Sequence, residues 1–295
     1  MDAAEPARVV VLGASGLLGT ALVPALRDAH LSAWTPTHAE VDIRDLEGLR
    51  ALLREVRPAL IVNCAAQSRP DQAEQQPDEA FAVNAVGAHN VALAAREADS
   101  ALMHISTDYV LDGTRRAPYR EYHETGMPPS QYGQSKLAGE QLVRAACARH
   151  FIVRVAALYG PGRPHFLQWI LDRGDPGAPL RIVADRFVSP TSTRQLAHQL
   201  LVLLRTPFYG TYHAAGRGVA SWYELARSAL RLAGRDPEGV VPVADVELQS
   251  VAPRAPYTAL ENHLLRLRGL ERLAPWREAL AEHLRGLATP PAPIV

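Results

Sequence analysis

The sequence has few cysteines, no excess of either charge and no long apolar run. Only two of its 295 residues are cysteine, Cys64 and Cys147, and neither their number nor their spacing fits a disulfide framework or a metal site. Basic and acidic residues number 31 each, which argues against a nucleic-acid partner. The apolar runs are too short to cross a bilayer, and the first residues lack a secretory pattern. We therefore expect a cytoplasmic protein without nucleic-acid or membrane partners.

Lysine is almost absent, since Lys136 is the single lysine among the 31 basic residues. A lysine kept where every other cation is arginine indicates a position that needs a compact amine, which can donate to several oxygens and lower a neighbouring acid's pKa. Tyr132 lies four residues earlier in QYGQSKLAGEQLV, a segment of helical composition. Residues four apart share a helix face, so we expect the phenol and the amine to lie side by side.

Strand-like apolar runs alternate with helix-like segments from Arg8 to about Val155. The runs are RVVVLG, LSAWT, ALIVNCA, ALMHIS and FIVRV, and the predicted helices between them cover residues 16–29, 46–56, 78–97 and 132–149. Continuously apolar strands that alternate with helices predict an α/β fold with a doubly wound parallel (Rossmann) sheet. After Tyr159 the regularity weakens, with strands predicted in LRIVAD and GTYHAA and helices near residues 193–204, 221–233 and 276–287.

This pattern divides the chain into three parts. We predict a dinucleotide-binding Rossmann domain over residues 1–159. A smaller, mainly substrate-binding lobe follows over residues 160–288, with some of its strands and helices returning to the first domain. The Pro/Ala-rich end, residues 289–295, is predicted to be a disordered tail.

A glycine-rich turn follows the first strand in GASGLLG, where Gly13, Gly16 and Gly19 are three residues apart. Glycines there allow a tight turn and close approach to a pyrophosphate, whose charge is stabilised by the helix N-terminus. Position after a strand and before an apolar helix makes the motif typical of NAD(P) binding.

The second strand bears on the choice between NADP and NAD. It ends in Thr35-Pro36-Thr37-His38, without the acid that usually holds the adenine ribose. NADP is thus permitted, but no arginine selects it, so the choice stays open with a slight preference for NADP. Asp42 and Ile43, just beyond, could reach the adenine. Asn63-Cys64-Ala65-Ala66 ends the third strand, where small side chains leave room for a ligand.

Three side chains fit the requirements of hydride exchange between an alcohol and a ketone. Tyr132 can donate or accept the hydroxyl proton if a cation stabilises its phenolate, and Lys136 supplies that cation. Thr107, at the end of the fourth strand, can polarise the substrate oxygen. Ser106 is an alternative hydroxyl, and Asp108 could orient the others.

Seven segments carry a family likeness: GASGLLG, NCAA, VNAVGAHNVALAA, HISTDYVLDGT, YGQSKLAGE, SPTSTRQLA and GTYHAAGRGVASWYELA. Together they resemble the extended short-chain dehydrogenase/reductases, and among these the dTDP-4-dehydrorhamnose reductase (RmlD) family, over roughly residues 8–285. The resemblance implies NAD(P)H-dependent reduction of a nucleotide-linked 4-keto-6-deoxy sugar, as in dTDP-rhamnose biosynthesis. It implies catalytic roles for Thr107, Tyr132 and Lys136, with Asp108 beside them. The implied cofactor-binding residues are Gly13, Ser15, Gly16, Leu17, Leu18, Gly19, Asp42, Ile43, Cys64, Ala65 and Ala66, together with Tyr132 and Lys136.

Departures from the family pattern cluster on the substrate side. Ala157 stands where the family usually has a tryptophan that lines the sugar, and Val188 replaces a glycine. The cofactor and proton-transfer residues are intact, which predicts an altered or broadened substrate rather than an inactive enzyme. For the second lobe we predict substrate contacts from His165, Phe166, Arg181 and Arg254, in addition to Thr107 and Asp108.

Two alternatives use the same fold. One is a non-catalytic NAD(P)-binding regulatory subunit like the β subunit of methionine adenosyltransferase, which also lacks the tryptophan at the position of Ala157. The other is a sugar-nucleotide epimerase, which keeps its NAD bound through the cycle. Homodimerisation through the helices around residues 85–98 and 136–149 is compatible with the family likeness.

Overall fold

The structure, a computed structural model, describes residues 8–173 and 179–288. The predicted tail at residues 289–295 lies outside the described residues, as do residues 174–178. Within the described ranges, no helix is both long and apolar enough to cross a membrane.

A six-stranded parallel sheet forms the centre of the molecule. Its strands, in spatial order, are β10 (Gly210–His213), β5 (His150–Val155), β4 (Ala101–Thr107), β3 (Leu60–Asn63), β1 (Arg8–Leu12) and β2 (Ser32–Trp34). The strand order reverses between β1 and β3, since β2 lies on one side of β1 and β3, β4, β5 and β10 follow on the other. Because these strands are parallel, the carboxyl ends of β1, β3 and β4 meet at one edge. The prediction of a doubly wound α/β fold is confirmed.

Helices cover both faces of this sheet, because its strands are apolar on both sides. On one face α1 (Leu17–Asp28) packs on α8 (Thr193–Leu204) through Leu22, Leu26 and Leu200. On the other face lie α2 (Leu46–Val56), α5 (Ala88–Glu97) and α6 (Gln131–Ala146), joined through Leu53, Val91 and other apolar side chains.

The helix predicted over residues 78–97 is not one regular helix. A short helix, α3 (Pro70–Gln75), precedes the segment. The segment itself consists of α4 (Pro77–Phe81), a π-helical turn (Ala82–Gly87) and α5. The helix predicted over residues 132–149 begins one residue earlier and ends at Ala146. Its start is fixed by Ser130, whose Oγ accepts from the Gly133 N–H at 3.1 Å, an N-cap contact.

The remaining elements form a smaller region beside the sheet edge. Its helices are α7 (Phe166–Arg173), α9 (Trp222–Leu232), α10 (His263–Leu267) and α11 (Trp276–Ala288). Three short strand pairs complete it: β6 (Leu158–Tyr159) with β9 (Thr191–Ser192), β7 (Leu180–Val183) with β12 (Val240–Val243), and β8 (Phe187–Val188) with β11 (Ala220–Ser221). Two short 3₁₀ helices lie at Asp108–Val110 and Asp245–Glu247.

Candidate active site

A crevice of about 1330 Å³ opens at the carboxyl edge of β1, β3 and β4. This is the place where an open α/β sheet binds its ligands. All the predicted catalytic and cofactor residues line it, namely Gly13, Ser15, Gly16, Leu17, Leu18, Gly19, Asp42, Ile43, Cys64, Ala65, Ala66, Thr107, Asp108, Tyr132 and Lys136. The sequence motifs, which are spread over more than a hundred residues, thus meet on one surface.

The glycine turn lies too close to the backbone at the end of β3 to admit a side chain at Gly13. Gly13 has a φ of +77°, and a Cβ there would lie 2.7 Å from the backbone nitrogen of Ala65. Gly16 is the N-cap of α1 and has no side chain to bond the first N–H groups of the helix, so these groups can bind an anion. A dinucleotide pyrophosphate fits this arrangement.

The far end of the crevice, beyond β2, holds an ion pair that sequence reasoning missed. Arg44 donates to Asp42 through Nε at 2.9 Å and to Glu79 through Nη1 at 3.2 Å. The Arg44 contact lowers the pKa of the Asp42 carboxyl below its ordinary value. Arg44 therefore places a cation beside the predicted adenine-binding residues. The end of β2 itself contains no such cation.

Thr107 and Asp108 lie where β4 ends in a short 3₁₀ turn. The Thr107 hydroxyl donates to Asp108 Oδ1 at 3.2 Å, and Thr258 donates to Asp108 Oδ2 at 2.5 Å. Burial raises the pKa of Asp108 to about 6. Both residues line the crevice. The Asp108 carboxyl thus fixes the position of the Thr107 hydroxyl.

Ser106, the alternative hydroxyl, is engaged on another side of the strand. Its Oγ donates to Glu140 Oε1 at 2.6 Å, and Arg154 donates to the same carboxylate at 2.9 and 2.7 Å. Successive residues of a strand point to opposite faces. This buried network uses the Ser106 hydroxyl, whereas the Thr107 hydroxyl is in hydrogen-bond contact with the Tyr132 phenol, which makes Thr107 the better placed partner for a substrate oxygen.

Tyr132 lies in the first turn of α6 and is almost fully buried. Burial raises the pKa of its phenol above the ordinary value, while a hydrogen bond with Thr107 lowers it. Its ring packs edge-on against Tyr109, with ring centres 5.2 Å apart. A phenol in this state holds its proton at neutral pH but is a weaker acid than a free tyrosine, so it can donate only where its phenolate is stabilised.

Lys136 lies one turn after Tyr132 and is 2% exposed. Its Nζ donates to the Ile105 carbonyl oxygen at 2.7 Å and lies 3.3 Å from His104 Nε2. Burial lowers the pKa of the amine to about 8, against the opposing effects of Glu140 and Cys64. The single lysine is therefore buried one helical turn from Tyr132, with its amine in contact with two groups of β4.

Asn84, in the π-helical turn, ties backbone groups together. Its side chain accepts from the Gln67 N–H at 2.9 Å and donates to the Gln67 carbonyl oxygen at 3.0 Å. It also donates to Ser135 Oγ at 3.0 Å. These contacts connect the loop after β3 with α6 and so support the position of Tyr132 and Lys136.

Of the substrate residues predicted in the second lobe, only Arg254 lies beside the crevice. It lines a smaller neighbouring cavity, here termed the arginine pocket, formed by Tyr109, Pro129, Arg186, Val188, Trp222, Arg254, Ala255 and Thr258. Arg254 donates to both oxygens of Asp71 at 3.1 and 3.2 Å. Tyr109 lines both cavities, so the two are adjacent.

His165, Phe166 and Arg181 line neither cavity, so their predicted substrate contacts gain no support from the structure. Phe166 packs against Trp222 with ring centres 4.7 Å apart, because the apolar face of α7 is buried on α9. His165 Nε2 accepts from the Gly160 N–H at 3.3 Å. The Arg181 side chain, 54% exposed, pairs with Glu247 at 2.8 Å on the surface.

Sequence reasoning missed Arg186, the second cation of the arginine pocket. It is buried and pairs with Asp245 at 3.0 Å, while its Nε has no hydrogen-bond partner among the described residues. A buried guanidinium N–H without a partner is costly and indicates a place for an acceptor. The segment DRFVSPT contains this arginine, but one arginine among thirty carries no signal until the chain folds.

Ala157, at the position of the family tryptophan, lines the main crevice just after β5. Its φ is +42°, in the left-handed region that residues other than glycine rarely occupy. The backbone is held there by the Thr191 N–H, which donates to the Ala157 carbonyl oxygen at 3.1 Å. A small side chain at this point leaves room beside the catalytic residues.

Comparison with known proteins places the chain in a family. The model of the RmlD substrate binding domain family matches residues 7–289. The chain belongs to this family. The resemblance inferred from the motifs is thereby confirmed, and the RmlD match covers both the Rossmann sheet and the region that follows it.

Named RmlD-like relatives align over nearly their full length. The dTDP-4-dehydrorhamnose reductase of Streptomyces griseus is 39% identical over 95% of this chain and 94% of its own. The dTDP-4-keto-6-deoxy-D-glucose reductase of Streptomyces niveus is 38% identical over 93% and 96%. Among solved structures, the dTDP-4-dehydrorhamnose reductase of Bacillus anthracis in complex with NADP has a TM-score of 0.92 at 34% identity, over 95% of this chain and 99% of its own.

Proposed function

We propose that this chain is an NAD(P)H-dependent reductase of a nucleotide-linked 4-keto-6-deoxy sugar. The observation that carries the proposal is the meeting of Thr107, Tyr132 and Lys136 with the glycine turn in one crevice. The names of its relatives support the substrate class, since both are reductases of dTDP-linked keto sugars. The complex of the Bacillus anthracis relative supports NADP as a cofactor.

The residues of the crevice form two groups, one that would hold the cofactor and one that would act on the ketone. The glycine turn and the N-terminus of α1 hold the pyrophosphate, with Cys64, Ala65, Ala66, Asp42 and Ile43 beside the adenosine part. Bound NAD(P)H supplies the hydride for the ketone carbon. Lys136 is placed to hold a ribose hydroxyl and, when protonated, to stabilise the Tyr132 phenolate.

Proton transfer falls to the buried phenol. The Thr107 hydroxyl, which donates to Asp108 in the free site, turns on substrate binding to donate to the ketone oxygen and stabilises the negative charge that develops there. Tyr132 then gives its proton to that oxygen, and the phenolate is left beside the Lys136 amine. Burial keeps the phenol protonated at neutral pH but also makes it a weaker acid, so the transfer depends on stabilisation of the phenolate by the Lys136 ammonium.

The two arginines of the arginine pocket are placed to bind the diphosphate of the nucleotide sugar. Arg186 and Arg254 place two guanidinium groups next to Tyr109, which borders the catalytic crevice. Guanidinium forks bind phosphate oxygens in pairs, so these arginines suit the diphosphate of a nucleotide sugar. Ala157 leaves space where a tryptophan would lie, which favours a sugar other than, or broader than, that of relatives with the tryptophan.

The test is consumption of NADPH and NADH with a panel of dTDP-4-keto-6-deoxy sugars, with product configuration read by NMR. Tyr132→Phe is the matched variant, because it removes only the phenol oxygen. We expect turnover to fall by about 10²-fold or more with cofactor affinity largely retained. Retention of more than about a tenth of the wild-type rate would overturn the role of Tyr132. Absence of turnover with every sugar would overturn the reductase proposal and favour the regulatory subunit.

Two further expectations belong to this proposal. Dimerisation through α5 and α6 is a prediction that sedimentation analysis at micromolar concentrations would test. The cytoplasmic location also stays a prediction, which fractionation of cells that express the protein would test.

A further inference from the structure

A row of three buried side chains runs beneath the crevice, from Asn63 at the end of β3 through His104 on β4 to Lys136 on α6. We propose that Asn63 and His104 are positioning residues that hold a hydrogen-bond donor against the Lys136 amine and favour its uncharged form in the free enzyme. The consequence for catalysis rests on the proposed reductase function, whereas the hydrogen-bond arrangement does not.

The three side chains are in contact and are excluded from water. Asn63 and His104 face each other in the register of β3 and β4. Asn63 Nδ2 lies 3.3 Å from His104 Nδ1, and His104 Nε2 lies 3.3 Å from Lys136 Nζ. The exposed fractions are 1%, 1% and 2%, so bulk water does not reach the contacts between the three side chains.

The orientation of the Asn63 amide decides which imidazole nitrogen carries the proton. The Ala65 backbone N–H donates to Asn63 Oδ1 at 3.1 Å, which fixes Oδ1 on that side and directs Nδ2 toward the imidazole. An amide nitrogen only donates, so His104 Nδ1 must accept. Burial lowers the pKa of His104 well below its ordinary value, so the ring is neutral. A neutral ring that accepts at Nδ1 carries its proton on Nε2.

The Nε2–H of His104 then points at Lys136 Nζ. An uncharged amine has a lone pair that accepts this hydrogen, and its own N–H groups donate to the Ile105 carbonyl oxygen at 2.7 Å and into the crevice. An ammonium has no lone pair, so two donors would face each other. Protonation of Lys136 therefore requires His104 to move its proton to Nδ1, which sets a second pair of donors against each other at Asn63.

The charges around this row act in both directions. Glu140, one turn further along α6, favours the ammonium, but its carboxylate is bound by Arg154 at 2.7 Å and by Ser106. Cys64 faces the amine from the end of β3, Tyr132 precedes it by one turn, and His150 faces His104 from β5. The pKa of Lys136 is lowered to about 8 by burial, in the same direction as the proposed effect. An amine that titrates near neutrality can release and recover a proton within one turnover.

The test uses the fact that Lys136 is the only lysine of the chain. Protein labelled with ¹³C at lysine Cε, made without a lysine-containing tag, gives one side-chain signal whose titration reports the pKa of Lys136. Long-range ¹H–¹⁵N correlation of the histidine rings reports which nitrogen of His104 is protonated, once the signal is assigned by its absence in His104→Phe. We expect Nε2–H in the wild type. Nδ1–H there would overturn the proposal, and this measurement needs no variant of Asn63.

Asn63→Asp reverses the relay with almost no change in shape. The new carboxylate still accepts from the Ala65 N–H but also accepts from His104, so the proton moves to Nδ1 and Nε2 becomes an acceptor for the ammonium. We expect the titration midpoint of Lys136 to rise by at least about one pH unit. In the His104→Phe background the same substitution should raise it by less than half as much. An equal rise in both backgrounds would mean that the charge acts directly, and an unchanged midpoint in the first would mean that no relay exists; either result overturns the proposal. The titration needs no substrate, so its outcome is separate from that of the reductase assay.

Discussion

Burial controls the acid–base properties of the individual site residues. It raises the pKa of Tyr132 and Asp108 and lowers that of Lys136, since it disfavours the charged form of each group. The spacing of Tyr132 and Lys136, and the place of Thr107 at a strand end, were sufficient to predict that these residues share a crevice. The contacts of His104 with Asn63 and Lys136 were not predictable, because they depend on the register of β3 against β4.

Asp108→Asn should stabilise the protein at neutral pH. The pKa of Asp108 is raised from 3.8 to about 6 by burial, so the folded state keeps a proton that the unfolded chain has already lost. The ionised carboxylate thus costs stability, from about pH 4 upward, and the cost is complete above about pH 6. A pKa shift of about two pH units corresponds to about 3 kcal/mol in the free energy of unfolding. The gain in the variant is this amount less the contribution of the hydrogen bonds that Thr258 and Thr107 donate to the carboxylate.

Urea unfolding between about pH 4 and pH 8 measures this effect. The free energy of unfolding of the variant minus that of the wild type should increase up to about pH 6 and then stay constant. Asp99→Asn is the control, because the Asp99 side chain is 94% exposed. A difference that does not vary with pH would contradict the assignment of a buried, proton-binding carboxyl to Asp108.

Among the elements, α6 was predicted correctly as the helix that carries Tyr132 and Lys136, but its bounds differ from the predicted ones. The helical composition and the spacing of four residues predicted it, and Ser130 fixes its start at Gln131. Its neighbour, the π-helical turn Ala82–Gly87, was not predictable, because one residue too many in a turn leaves the apolar pattern of the segment almost unchanged. The turn brings the Asn84 side chain to Ser135 and the backbone of residue 84 against Gly139.

Gly139→Ala should therefore destabilise the protein although alanine is the better helix former. A Cβ at Gly139 would overlap the Asn84 carbonyl oxygen, so α6 and the π-helical turn must move apart. We expect a loss of about 1–3 kcal/mol in the free energy of unfolding, measured by chemical denaturation, together with reduced turnover because Tyr132 and Lys136 move with the helix.

Gly286→Ala is the matched control in another helix. Among the described residues, nothing lies within 4 Å of a Cβ built at Gly286 in α11, so the change should be neutral or should stabilise the protein by up to about 1 kcal/mol. An equal effect of the two substitutions would show that close packing of α6 on the π-helical turn is not what requires glycine at position 139.

At the scale of the whole molecule, the site depends on parts of the chain that are far apart in sequence. The glycine turn, the strand ends and α6 could be assigned to the site from sequence motifs, because each motif determines its own local geometry. The arginine pocket could not, because it joins Tyr109 beside β4 to Arg186, Trp222 and Arg254. In the sequence Arg181 and Arg254 are equivalent candidates, and only the folded chain separates a surface ion pair from a pocket.

Arg254→Gln and Arg181→Gln form a matched pair that tests this separation. Each removes one guanidinium that pairs with one carboxylate, Asp71 or Glu247. If the arginine pocket holds the diphosphate, Arg254→Gln should raise KM for the nucleotide sugar by about 10-fold to 100-fold, since a hydrogen bond to a charged group contributes about 1.5–3 kcal/mol. The turnover number should change little, because the contact is the same in the ground and transition states. Arg181→Gln should leave both constants within about 2-fold, as expected for an exposed ion pair that contributes little. If Arg181→Gln instead raised KM as much as Arg254→Gln, the nucleotide would bind along β7 rather than in the pocket next to Tyr109, and the division of tasks between the two cavities would have to be abandoned.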